Sequence, residues 1–386
     1  MALFRTGGPL LPNVKTVSWV ASSREDALGM PLFLSENTVA LELRCGFGNP
    51  TESSILVALQ TLSVQPTNFK IFDFSSEIPV GNTGHLLSQC LTNWTRLTTV
   101  LLPEGYATQD QIFVALSKLP ELTSISFIWC QEVRIPNSKL PLSALNPQSF
   151  PRLKTLKVAL KLEGLASLLE NPHRPSMIEE IEILDGYMVQ RDSLLPIVRL
   201  LPSTYPQLKQ ISLHLTTTAS IEAESISFDL FRPLLNCSAL EEFAIFHGKP
   251  LIIHDADVEA MATSWPQLRI LGLTPDPFIH KSDFKTQDAP SYELLKLFAS
   301  IFPKLQELEV LVDVRNFPPV PEKRILSNRI TRVLVGTSPA PPGDLLGFAM
   351  NFARLFPNVG EVLSGPHVWL LDREPETRGQ HTKNQR

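Results

Sequence analysis

The stretch that decides the fold is "SWPQLRILGLT", residues 264–274. Near-copies stand at 149–160 ("SFPRLKTLKVAL"), 204–215 ("TYPQLKQISLHL") and 301–312 ("IFPKLQELEVLV"). Each gives an aromatic, a proline, one free position, and then large apolar residues at +0, +3 and +5. A spacing of two between the last pair is the alternation of a strand with one face buried. A single such strand cannot bury that face alone, so its recurrence implies neighbours stacked in parallel.

Working outward, the frame L-x-x-L-x-L recurs along the chain when the last two positions take any large apolar residue. Its anchors are Val14, Thr38, Phe69, Leu97, Leu122, Leu153, Ile178, Leu208, Leu240, Leu268, Leu305, Ile330 and Val359. From Val14 to Val359 the steps average about 29 residues, at the long end of the leucine-rich-repeat range. Between anchors, several segments read as helices. "TQDQIFVALSKL" (108–119) puts Ile112, Leu116 and Leu119 on one stripe, with Thr108 or Asp110 as the cap. "DADVEAMATSW" (255–265) starts at a capping Asp255 and turns Val258, Met261 and Ala262 inward. "GDLLGFAMNFARLF" (343–356) does the same with Leu345, Phe348, Phe352 and Leu355. Strand alternating with helix once per repeat predicts an α/β leucine-rich-repeat solenoid of about 13 irregular repeats, strands on the concave face and helices and loops on the convex face.

The aromatic-proline pairs mark corners. In Phe150-Pro151, Tyr205-Pro206, Trp265-Pro266, Phe302-Pro303 and Phe356-Pro357, proline drives the preceding residue out of the α region and turns the chain into a strand. The repeat array is expected over 11–371, after an N-terminal extension (1–10) and before a polar, disordered tail (372–386). A polar, proline-bearing insertion (274–293) sits inside it, and no linker divides it. Proline-rich connections lie at 316–323 and 337–344.

Composition narrows the function. A net charge of −5 carries no electrostatic footprint for nucleic acid or an anionic membrane. No apolar run reaches the length of a membrane span, and no signal-peptide core opens the chain. The expected location is therefore cytoplasmic or nuclear. Cys45, Cys90, Cys130 and Cys237 are far apart and read as buried reduced thiols. Phosphate-loop, dinucleotide, nucleophile-elbow and zinc-protease motifs are absent. The glycine pairs in "CGFGNPTESS" (45–54) and "PVGNTGH" (79–85) read as turns. "HDAD" (254–257) fits a helix start better than a metal site. The expectation is a non-enzymatic protein with no cofactor or metal.

What remains is the strand surface. Residues at +2, +4 and +6 alternate away from the core. They supply the acids Glu42, Asp73, Glu180, Glu182, Glu242, Glu307, Glu309 and Glu361, and the bases Arg44, Lys157 and Arg332, with His214. Apolar positions include Leu101, Ile128, Leu184, Phe246, Leu311 and Leu334. The candidate partner-binding residues are Glu180, Glu182, His214, Glu242, Phe246, Glu307, Glu309 and Arg332. They describe an acidic groove with hydrophobic anchors, suited to a protein substrate with a basic segment.

The combination of "FLSENTVALEL" (33–43), the repeated F-P-x-L-x-x-L phrases and "DADVEAMATSWPQLRILGLT" (255–274) resembles the leucine-rich-repeat region of basidiomycete fungal F-box proteins. There a segment reading roughly D-x-D-[LV]-E-x-[LM]-A-x-x-W-P-x-L-x-x-L-x-L precedes a late strand. Asp255, Asp257, Val258, Glu259, Met261, Ala262, Trp265, Pro266, Leu268, Leu271 and Leu273 match it. The resemblance spans residues 10–365. It implies the substrate-recognition part of a Skp-cullin-F-box ubiquitin ligase; the alternative is a stand-alone repeat scaffold. The family's helical L-P-x-E-[IL] segment, which docks the Skp adaptor, is not found ahead of the first repeat near Leu11. The adaptor is thus an expected partner only if an F-box lies upstream.

Overall fold

The computed structural model describes residues 9–45, 52–64, 68–76, 83–128, 140–159, 162–185, 191–215, 226–274, 291–313, 329–336, 338 and 345–364. In chain order the first half gives β1 (Thr16–Ala21), α1 (Arg24–Gly29), β2 (Ala40–Cys45), α2 (Glu52–Ser63), β3 (Ile71–Ser76), α3 (Thr83–Asn93), β4 (Thr99–Pro103), α4 (Asp110–Ser117), β5 (Ser124–Ile128), β6 (Thr155–Val158) and α5 (Leu162–Glu170). The second half gives β7 (Glu180–Asp185), α6 (Arg191–Thr204), β8 (Gln210–Leu215), β9 (Ile226–Ser227), β10 (Glu242–His247), β11 (Leu251–Ile252), α7 (Asp255–Ser264), β12 (Ile270–Leu273), α8 (Tyr292–Ile301), β13 (Glu307–Val310), β14 (Arg332–Gly336), α9 (Leu345–Leu355) and β15 (Glu361–Ser364).

Thirteen of these strands form one parallel sheet in chain order, with β9 and β11 paired separately. Apart from β13 and β14, whose connection lies largely outside the described residues, successive strands of the sheet are joined through a helix or 3₁₀ segment, giving a solenoid-like α/β architecture. The repeat frame maps onto the sheet in register from β1 to β14, and the last pair shifts by one residue after Leu334. Leu271 of β12 lies level with Phe243 of β10 and Leu308 of β13, and Leu273 with Ile245 and Val310. These side chains and the inward faces of the helices form one continuous core, in which Leu268, Leu271 and Leu273 are buried. Thr38 fills an anchor with a hydroxyl: fully buried, it donates to the Val14 carbonyl at 3.2 Å.

Two backbone devices repeat from end to end. The aromatic-proline phrase is a β-turn: the Leu268 amide donates to the Trp265 carbonyl at 3.1 Å, and Leu208 to Tyr205 at 3.1 Å. Proline takes the position where its fixed φ is already suited. Trp94 to Leu97 and Cys237 to Leu240 close the same turn without it. One residue later, a single carbonyl accepts two amides from the next repeat. The Lys209 carbonyl takes Glu241 (2.7 Å) and Glu242 (2.9 Å), and the Glu241 carbonyl takes Arg269 (2.7 Å) and Ile270 (3.2 Å). This pairing runs from Lys15 to Glu361, so the strand starts keep their hydrogen bonds where the ladder has not yet opened.

The corner aromatics do more than cover a column end. Trp265 is fully buried, packs on Phe243 with ring centroids 4.8 Å apart, and donates its indole N–H to the Leu234 carbonyl at 3.2 Å. It ties its own repeat to the preceding one. Phe150 departs from the pattern: it follows a loop rather than an α-helix and sits at φ 53°, a left-handed position before Pro151.

Two capping expectations are corrected. The cap of α7 is His254, not Asp255: Asp257 in the first turn reaches back to accept the His254 amide at 3.0 Å. Buried Asp257 also takes Arg232 at 2.8 Å, which ties α7 to the 3₁₀ segment Phe228–Asn236. The cap of α4 is Gln109, with no side-chain bond, because the preceding 3₁₀ turn Glu104–Tyr106 already sets the direction of the chain. Of the inward residues expected in α9, Phe352 and Leu355 are buried. The side chains of Leu345 and Phe348 lie outside the described residues, as do Cys130, the tail, nearly all of the 274–293 insertion, and most of 1–10, 45–54, 79–85, 316–323 and 337–344.

Candidate functional site

The sheet face turned away from the helices carries the +2, +4 and +6 residues as three rows that cross the strands. The +2 row runs Thr155, Glu180, Gln210, Glu242, Ile270, Glu307, Arg332, Glu361. The +4 row runs Lys157, Glu182, Ser212, Ala244, Gly272, Glu309, Leu334 in the same registers. Neighbouring members sit about 4.8 Å apart, one strand spacing, so side chains along a row meet directly.

Two clusters result. In the first, Lys157 pairs with Glu182 at 2.8 Å, and His214 of β8 reaches the other oxygen of the same carboxylate at 3.3 Å. The His214 ring stacks on Phe246 with centroids 4.5 Å apart and planes 16° from parallel. Burial works to raise the Glu182 carboxyl, but the His214 hydrogen bond and the Lys157 charge overcome it and hold the group down at about 2. Glu182 is therefore an anion at any physiological pH, and it orients the imidazole that supports Phe246. In the second cluster Arg332 bridges Glu307 and Glu361, each at 3.3 Å. In the +2 row beside the first cluster, Glu180 accepts the Thr155 hydroxyl at 2.9 Å and Glu242 accepts the Gln210 amide at 3.2 Å.

Of the residues expected to bind a partner, Glu180, Glu182, His214, Glu242, Phe246, Glu307 and Arg332 are partly exposed on this face. Glu309 is corrected: it is 1% exposed, and its carboxylate lies over Gly272, whose absent Cβ would stand 3.2 Å from it. The anchors Leu311 and Leu334 are corrected likewise. Both are buried, and on this face rather than in the main core. Alternation assigned all three to the outer side; it could not show which outer positions are covered. Thr155 and Gln210 were not singled out, although their +2 positions carried the signal.

A separate cavity of about 450 Å³ opens between the first turns of α7 and α8, lined by Ile253, His254, Asp255, Ala256, Ser291 and Leu294. Neighbouring Asp257 is already engaged by Arg232 and the His254 amide, so the acids of "HDAD" do not converge there. Among the described residues, no three His, Cys, Asp or Glu side chains are grouped to hold a metal ion. No helix among them is long and apolar enough to cross a membrane. Cys45, Cys90 and Cys237 are buried free thiols, pushed up to about 12 by burial. No family model and no curated protein matches the chain.

Proposed function

We propose that this chain is a leucine-rich-repeat solenoid whose helix-free face is the concave binding surface for a protein segment. In this reading it serves as the substrate-recognition part of an F-box-type ubiquitin ligase subunit, and it carries out no chemistry of its own. The supporting observation is the +2 row, whose side chains stay half-exposed or exposed across thirteen parallel strands. Such a row offers an extended partner repeated contacts at strand spacing, which is how solenoids bind.

The test has two parts. Proximity labelling with Gln210→Trp, which plants an indole at a half-exposed position in the middle of the face, should lose the set of proteins that wild type labels. If that set is unchanged, the face reading fails. The ligase part is tested by recovery of the Skp adaptor with the full gene product. Without adaptor, the ligase role falls and a stand-alone protein-binding scaffold remains.

A further inference from the structure

The last helix of the array is apolar on two sides. Exposed positions of α7 include Asp255, Glu259 and Thr263, and those of α8 include Glu293 and Ser300. In α9 the exposed positions are instead Leu346, Ala349, Met350 and Ala353, at the i, i+3, i+4 and i+7 spacing of one stripe, ahead of a single charge at Arg354. The opposite side of the same helix buries Phe352 and Leu355. The strand beside it is open as well. Val362 of β15 is level with Val333 of β14 and, through it, with Leu308 of β13. Those two are fully buried in the core, whereas Val362 is 52% exposed. The core column and the helix layer thus reach the end of the sheet with nothing laid on them among the described residues. A helix that is apolar all round belongs under a cover, and the last repeat of a solenoid needs a polar outer face or a cap.

We infer that residues 368–371 of this same chain, which lie outside the described residues, cap that end over Val362 and the Leu346–Met350 stripe of α9. They read Val-Trp-Leu-Leu, and residues 372–386 after them carry no large apolar side chain. The run begins three residues beyond Ser364, where β15 ends. Helix α9 returns the chain from the end of β14 to the start of β15, so its first turn, with Leu346, lies level with the end of β15. Three extended residues span about 10 Å, enough to cross from a sheet to the helix packed on it. Four large apolar side chains and an exposed apolar stripe leave water together when they meet. The short tether holds the run near the stripe at an effective concentration that a second copy or a separate partner lacks. The cap is independent of what the helix-free face binds.

Met177 and Met350 supply an internal comparison, being 46% and 47% exposed. In the full chain under dilute hydrogen peroxide, peptide mass spectrometry should find Met350 oxidised about threefold or more slowly than Met177, at every protein concentration. Trp369→Ser with Leu370→Ser should bring Met350 to the rate of Met177 and leave Met177 unchanged. Equal rates in wild type would overturn the cap. Protection of Met350 that fades on dilution would assign the stripe to a second copy. Protection that survives both serine substitutions would assign it to another part of the chain, and either result sinks the proposal. A photo-crosslinker in place of Leu346 gives a reading that leaves the segment untouched. The expected product joins position 346 to residues 368–371 within one chain; a product between two chains would contradict it.

Discussion

Trp265 shows what one residue contributes at a repeat corner. Replacing it with phenylalanine keeps most of the buried ring and removes the indole bond to Leu234; the expected cost is about 1–2 kcal/mol. Alanine also leaves a cavity beside Phe243, and about 3–5 kcal/mol is expected, both read from urea unfolding. Glu104 acts in the opposite direction. It is 2% exposed, its Oε1 has no hydrogen-bond partner, and burial raises its carboxyl to about 8. Its folded pKa lies above its unfolded one, so its contribution is fully present below the ordinary glutamate range and is lost as pH rises toward 8. Glu104→Gln should therefore gain in melting temperature on wild type as pH rises from about 5 to about 9. An unchanged difference across that range would show that the carboxyl is not held neutral. Glu182 has the reverse sign: its stabilisation is present above the ordinary glutamate range and is lost as pH falls toward 2.

Among the elements, α7 shows where local patterning was sufficient and where it was not. The start of the helix was visible in "HDADVEAM", because a short polar cap followed by apolar spacing is a local signal. The choice of His254 over Asp255 was not, because it depends on Asp257 being held by Arg232 from another repeat. Asp257→Ala removes the first-turn carboxylate and leaves Arg232 without that partner. It should cost about 1–3 kcal/mol and raise amide exchange first in α7. Exchange that rises elsewhere before α7 would contradict this role. The strands show the same division. Alternation placed Leu271 and Leu273 inward and Glu309 outward correctly, but the covering of Glu309, Leu311 and Leu334 depends on distant packing that no period-two pattern records.

For the whole molecule, the array was readable because each repeat restates one local phrase, and thirteen anchors became thirteen strands. The double-amide carbonyl running from Lys15 to Glu361 was invisible, since it involves only backbone atoms and any residue serves there. An array built from nearest-neighbour contacts should fail locally first. Ile183→Asp buries a charge at the centre of β7, so exchange protection should drop most in β7 and in its neighbours β6 and β8. Uniform loss from β1 to β15 would indicate a single cooperative unit. The claim that matters most for function is that partners bind the helix-free face, and hydroxyl-radical footprinting of the chain with and without its captured partner tests it directly. Protection is expected at Leu184, His214 and Phe246 and not at the exposed Leu346 and Met350 of α9; protection confined to α9 would contradict binding at the helix-free face.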